Sequence, residues 1–93
     1  MIHAKETNVK TDKPRVQSAA RVVEILQLVA QSDSGGISAR DISARLKLPR
    51  QVFYHLAHTL VATDMLRISG GNNYVLGLGV ASLAQSFRRQ MAA

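Results

Sequence analysis

Arg50 and Gln51 follow Pro49 directly, and Tyr54, His55 and His58 come within the next two helical turns. These residue types support two kinds of chemistry. Arg can pair bidentately with guanine and Gln with adenine, and Val52 between them suits a thymine methyl. Two histidines three residues apart can share a helix face, which suggests metal ligation. No acidic or cysteine partner lies near them in sequence, and His3 is far away. His55 and His58 therefore read as groove-facing or solvent-facing, with no metal and no cofactor implied. No Ser/His/Asp set is evident. Asp41 and Asp64 read as surface charges at a helix start and a helix end. No catalytic residue is assigned, and the chain is not read as an enzyme.

Residues of this kind are useful only if something holds them outward. The apolar pattern supplies the scaffold. Ala19, Val22, Ile25, Leu26, Val29 and Ala30 recur at helical spacing after Ser18, a candidate N-cap. Ser32-Asp33-Ser34-Gly35-Gly36 is a loop by composition. Ser38-Ala39-Arg40-Asp41 resembles a capping box that opens a short helix with Ile42 and Leu46 on its apolar face. Pro49 disfavours helix at Leu48 and suits the first position of a third helix, with Leu48 as its N-cap. That helix, over residues 49–64, carries Phe53, Leu56, Ala57, Leu60 and Val61 along one stripe. Because Phe53 occupies the stripe, Tyr54 should point about 100° away from it. Leu66 and Ile68, then Gly70-Gly71-Asn72-Asn73, then Tyr74-Val75-Leu76, predict a hairpin over residues 65–77. A last helix presents Val80, Leu83, Ala84, Phe87 and Met91 on one face.

The order helix, helix, helix, hairpin, helix is that of a winged helix-turn-helix: mainly α, with a three-helix core, a two-stranded wing and a C-terminal linker helix. In such a motif the second of the two closely linked helices enters the major groove N-terminus first. Ile42, Leu46, Leu48, Phe53 and Leu56 would lock the helices, and Lys47-Leu48-Pro49 would form the turn. Arg50, Gln51, Val52, Tyr54 and His55 are then candidates for base contact. Ser38, Arg40, Arg45, Lys47, His58, Arg67 and Asn72 are candidates for phosphate contact. An uncapped start to the third helix would leave N–H groups free for a phosphate.

Composition agrees. The 93 residues contain 12 Lys+Arg against 6 Asp+Glu, a net charge of +6, and no cysteine. Disulfide scaffolds, thiolate nucleophiles and Cys-ligated zinc are excluded. No apolar run approaches the roughly 20 residues that span a bilayer. The excess is unevenly placed: residues 36–69 hold Arg40, Arg45, Lys47, Arg50 and Arg67 against only Asp41 and Asp64. Three units are expected: a flexible basic arm over residues 1–15, the winged domain over 16–77, and a linker or dimerisation helix over 78–93.

From Val16 to about Ser86 the chain resembles the N-terminal DNA-binding domain of IclR-type (isocitrate-lyase-regulator) bacterial transcriptional regulators. The resemblance is carried by Val16-Gln17-Ser18, Ile37-Ser38, Leu48-Pro49-Arg50, the segment Leu56 to Leu60, and Tyr74-Val75-Leu76-Gly77. Lys47 stands where the family commonly has Gly, and Gln51 and Val52 stand where small hydroxyl residues are common, so the operator does not carry over. The resemblance implies a cytoplasmic homodimer on palindromic double-stranded DNA, acting as repressor or activator. It also implies that a small-molecule effector acts only through a C-terminal domain beyond these 93 residues.

Two rival readings remain at this level. A winged-helix module can serve protein interaction or dimerisation without specific DNA binding. The basic arm could meet a membrane surface, but residues 1–15 lack the apolar face of an interfacial helix. The final helix likewise has two readings: packing on its own domain, or pairing with a second copy or serving as the linker to a further domain.

Overall fold

The computed structural model describes residues 15–92. The arm over residues 1–15, Arg15 excepted, and His3 within it lie outside the described residues. The elements are α1 (Gln17–Gln31), β1 (Ile37–Ser38), α2 (Ala39–Leu46), α3 (Arg50–Ala62), β2 (Leu66–Ile68), β3 (Asn73–Leu76) and α4 (Leu78–Ala92). The sequence reading of a mainly helical chain with a small hairpin stands, and the sheet gains a third strand. Its order is β1-β3-β2, antiparallel throughout. Ile37 pairs with Tyr74 and Ser38 with Asn73, while Leu66, Arg67 and Ile68 face Leu76, Val75 and Tyr74.

Three helices bury their stripes against this sheet. Ile25 and Val29 of α1, Ile42 of α2, and Phe53, Ala57 and Leu60 of α3 meet Leu48, Leu66, Ile37 and Tyr74 in one core. Phe53 is fully buried, and its ring meets Tyr74 edge-on at 5.3 Å between centroids. Burial of a Phe side chain contributes roughly 1.5–3 kcal/mol. Of the predicted locking set, Ile42, Leu48 and Phe53 are buried, and Leu46 and Leu56 are half-buried.

The helix starts differ from expectation in two places. Ser18 lies inside the first turn of α1, whose N-cap is Val16 with no side-chain bond. Pro49, rather than Leu48, is the N-cap of α3, because its ψ of 142° keeps it extended, and Arg50 is the first helical residue. The far end also shortens: α3 stops at Ala62, Thr63 caps it, and Asp64 turns left-handed at φ 66°. The α2 start is as predicted, with the Ser38 hydroxyl accepting from the Asp41 N–H at 3.1 Å.

Lys47 closes α2 in a left-handed conformation, φ 56° and ψ 44°. That reversal lets the Leu48 N–H donate back to the Ser43 carbonyl at 2.9 Å. The turn between α2 and α3 is thus made by the residue where glycine would cost least. At the wing tip Asn72, not either glycine, takes the positive φ of 63°.

The last helix departs furthest from a self-contained reading. No residue of α4 is buried, and Leu83, Phe87 and Met91 are 60%, 59% and 64% exposed. Val80 and Ala84 at the start of the same face are half-buried, so only its later part, Leu83, Phe87 and Met91, stands free of its own domain.

Candidate nucleic-acid interface

The outward face of α3 follows from its buried one. Phe53, Ala57 and Leu60 point into the core. At about 100° per residue the opposite side carries Gln51, His55 and His58, with Arg50 and Tyr54 toward one edge. All five are exposed. Tyr54 is 47% exposed, while its ring stays tilted against Phe53 at 5.6 Å between centroids. Val52 falls on the other edge and is half-buried against the core, which leaves it less free surface than its neighbours. No side chain caps the start of α3, and the Phe53 N–H already bonds the Pro49 carbonyl at 3.1 Å. The N–H groups of Arg50, Gln51 and Val52 lead the helix at its positive dipole end.

The candidate phosphate residues are spread over several surfaces. Lys47 sits in the turn beside α3 and is exposed. Arg40 and Arg45, both exposed, lie about 140° apart around α2, so they do not share a face. Arg45 lines a shallow concavity of about 330 Å³ with Ser38, Asp41, Asp33 and Asn73. The Ser38 hydroxyl is already engaged as the cap of α2. Asn72 is exposed at the wing tip, and its N–H closes the turn onto the Ser69 carbonyl at 3.1 Å. Arg67 alternates with Leu66 and Ile68, so it stands on the sheet face turned away from the core. The structure therefore gathers Arg50, Gln51, Tyr54, His55 and His58 on one helix face, with Lys47 adjoining, and separates Arg45 and Arg67 from them.

Two apolar residues, one on α3 and one on β2, are more exposed than their patterns suggest. Val61, assigned to the apolar stripe, is 38% exposed, and Ile68 of β2 is 51% exposed. They line a cleft between α3 and the wing together with Tyr54, Ala57, His58 and Tyr74. Val61 follows Leu60 directly, so its place at the stripe's edge was the available signal. Burial pushes the Tyr74 hydroxyl above the usual tyrosine range, with nearby Tyr54 adding to the shift, so Tyr74 is neutral at the cleft floor. Among the described residues no group of three or more His, Cys, Asp or Glu is placed to hold a metal ion. No described helix is long and apolar enough to cross a membrane.

Residues 18–68, more than half of the chain, match the family model described as the IclR helix-turn-helix domain. The chain belongs to the IclR family. The fold agrees with that assignment. An IclR family transcriptional regulator from Brucella abortus, known from its crystal structure, superposes with a TM-score of 0.68 at 26% identity over 83% of this chain. The chain spans 30% of that regulator's length. No curated protein matches it. Membership in the IclR family supports DNA-binding transcriptional regulation as the role of the domain.

Proposed function

We propose that the domain reads double-stranded DNA sequence specifically, with α3 in the major groove and the wing over residues 65–77 near the backbone or the minor groove. The observation that carries this reading is the outward face of α3. Arg50, Gln51, Tyr54 and His55 leave the core together at the N-terminal half of the helix, the end that reaches base edges. Arg50 reads guanine and Gln51 adenine. Val52 has a smaller share, through a thymine methyl. Lys47, His58, Arg40 and Asn72 hold phosphates, and Ser38, Arg45 and Arg67 add contacts at the margin.

The protein acts as a homodimer on a palindromic operator in the bacterial cytoplasm. The exposed apolar row on α4, Leu83, Phe87 and Met91, supplies a surface for the second copy. The same row favours the alternative of a winged-helix interaction module without specific DNA binding, since it would serve any apolar partner. Effector sensing belongs to a C-terminal domain outside these residues.

Selection from random duplexes separates the readings. Recovery of a palindrome supports dimeric, sequence-specific binding. Recovery of no enriched sequence, with binding lost at physiological salt, supports the interaction module. On the recovered site Arg50→Ala should cost about 1–3 kcal/mol and relax one base preference. An equal loss on random DNA would remove Arg50 from the base-reading set.

A further inference from the structure

One stripe of α3 and two residues of the sheet enclose the cleft beside the wing, which has a volume of about 310 Å³. Tyr54, Ala57, His58 and Val61 recur at helical spacing and share that stripe. Ile68 stands directly opposite Tyr74 in the β2–β3 ladder, so their side chains share a face of the sheet. The described residues that line the cleft include no Lys, Arg, Asp or Glu. An ionised ligand would give up its water and meet no fixed opposite charge there, so the charge complement of this cleft is an uncharged compound.

One polar group in the cleft lacks a partner. Tyr74 is 7% exposed, yet no hydrogen bond among the described residues ends on its hydroxyl. The hydroxyl of so buried a tyrosine is ordinarily bonded, because an unpaired one forfeits hydration with nothing in return. Burial holds this hydroxyl above the usual tyrosine range, and nearby Tyr54 adds to the shift, so it keeps its proton and can donate. Both tyrosine rings rest on one buried ring. Tyr74 meets Phe53 edge-on at 5.3 Å, and Tyr54 tilts against it at 5.6 Å between centroids. The core thus fixes both phenols, while Ala57, Val61 and Ile68 supply hydrocarbon.

We propose that this cleft is a binding site for a small, uncharged, ring-sized carbonyl compound. The carbonyl oxygen accepts from the Tyr74 hydroxyl, with the Tyr54 hydroxyl as a second donor to its other lone pair, and the ring packs on Val61 and Ile68. The volume lies at the lower end of the roughly 300–1,000 Å³ of small-molecule pockets, which suits a single ring rather than a larger ligand. This site goes beyond the DNA-binding reading and does not depend on it, and it is separate from effector sensing by a further domain. Because Tyr54 and His58 also belong to the outward face of α3, an occupant alters that face.

The test is a methyl-resolved NMR titration of the full chain with cyclohexanone. Methylenecyclohexane serves as its hydrocarbon counterpart and cyclohexanecarboxylate as an anion of similar shape. Cyclohexanone should move the methyl signals of Ala57, Val61 and Ile68 and leave those of Leu83 and Met91 in place. Tyr74→Phe keeps the ring against Phe53 and removes only the hydroxyl. It should weaken cyclohexanone binding roughly three- to tenfold and leave methylenecyclohexane binding unchanged. Tyr54→Phe, at an exposed position, should show a selective loss in the same direction, and it carries the test if Tyr74→Phe does not fold. The anion should bind more weakly than the ketone. Cyclohexanone that leaves the three cleft signals unmoved, or moves those of Leu83 and Met91 equally, would overturn the site. Equal losses for ketone and hydrocarbon in both variants would overturn the carbonyl contact, and tighter binding of the anion would overturn the uncharged class. Cleft signals that move when the chain alone is concentrated would assign the cleft to a second copy instead.

Discussion

Lys47 carries two roles that a single substitution pair can separate. Its backbone is left-handed, φ 56° and ψ 44°, and its side chain is exposed beside the start of α3. The left-handed region costs a residue with a Cβ roughly 1–2 kcal/mol. Glycine removes that cost but adds about 0.5–1 kcal/mol of chain entropy lost on folding. Lys47→Gly should therefore stabilise the domain by about 0.5–1 kcal/mol. For a domain of this size that is a rise of about 2–8 °C in Tm. Lys47→Ala keeps the Cβ and should stay within about 0.5 kcal/mol of wild type. Both variants lose the same ammonium group. If it holds a phosphate, both should weaken specific and random duplexes alike and reduce the salt slope by about 1. Calorimetry gives the stability arm, and anisotropy over a salt series gives the binding arm. A Gly variant no more stable than the Ala variant would refute the strain argument. An unchanged salt slope in both would refute the phosphate contact while leaving the strain argument intact.

Other outcomes follow from single positions. The Ser43 hydroxyl is buried in α2 and has no hydrogen-bond partner among the described residues, so Ser43→Ala should stabilise by about 1 kcal/mol in urea melts; a loss of stability would mean the hydroxyl has a partner after all. A Cβ at Gly77 would stand 2.9 Å from the Asp64 carbonyl carbon and 3.2 Å from the Leu66 N–H nitrogen. Gly77→Ala should accordingly cost about 1–3 kcal/mol, and a neutral result would show that the backbone there yields freely. The Tyr74 hydroxyl ionises later in the folded state than in the unfolded chain. The unfolded state thus gives up its proton first, and stability is lost as pH rises past about 10. Thermal melts between pH 8 and pH 11, compared with Tyr74→Phe, would show this; an identical pH profile in the two proteins would count against it.

The sequence alone determined the helices, the wing and the outward face of α3 proposed to read DNA, because each of these is written in local spacing. Ile25 and Val29, Phe53 and Leu60, and the glycine–asparagine run before Tyr74 repeat or break with a period that needs no distant partner. Once Phe53 is assigned inward, the chain geometry sends Gln51, His55 and His58 outward. Helix starts were less legible, since Ser18 and Pro49 are compatible with adjacent cap positions and only the backbone dihedrals choose between them.

Tertiary structure decided what depends on residues far apart in the chain. Two residues, Ile37 and Ser38, are too short a run to show strand periodicity, and only their pairing with Tyr74 and Asn73 makes them β1. Sheet alternation put Arg67 on the face away from α3, and helix geometry put Arg40 and Arg45 on different sides of α2. Neither separation is visible in a count of charges. The apolar face of α4 was plain in the sequence, but that its own domain leaves Leu83, Phe87 and Met91 exposed was not. The cleft is the clearest case. Val61 and Ile68 are ordinary apolar residues in ordinary elements, and they come to line a cleft only because β2 folds back beside α3 and leaves both half in solvent.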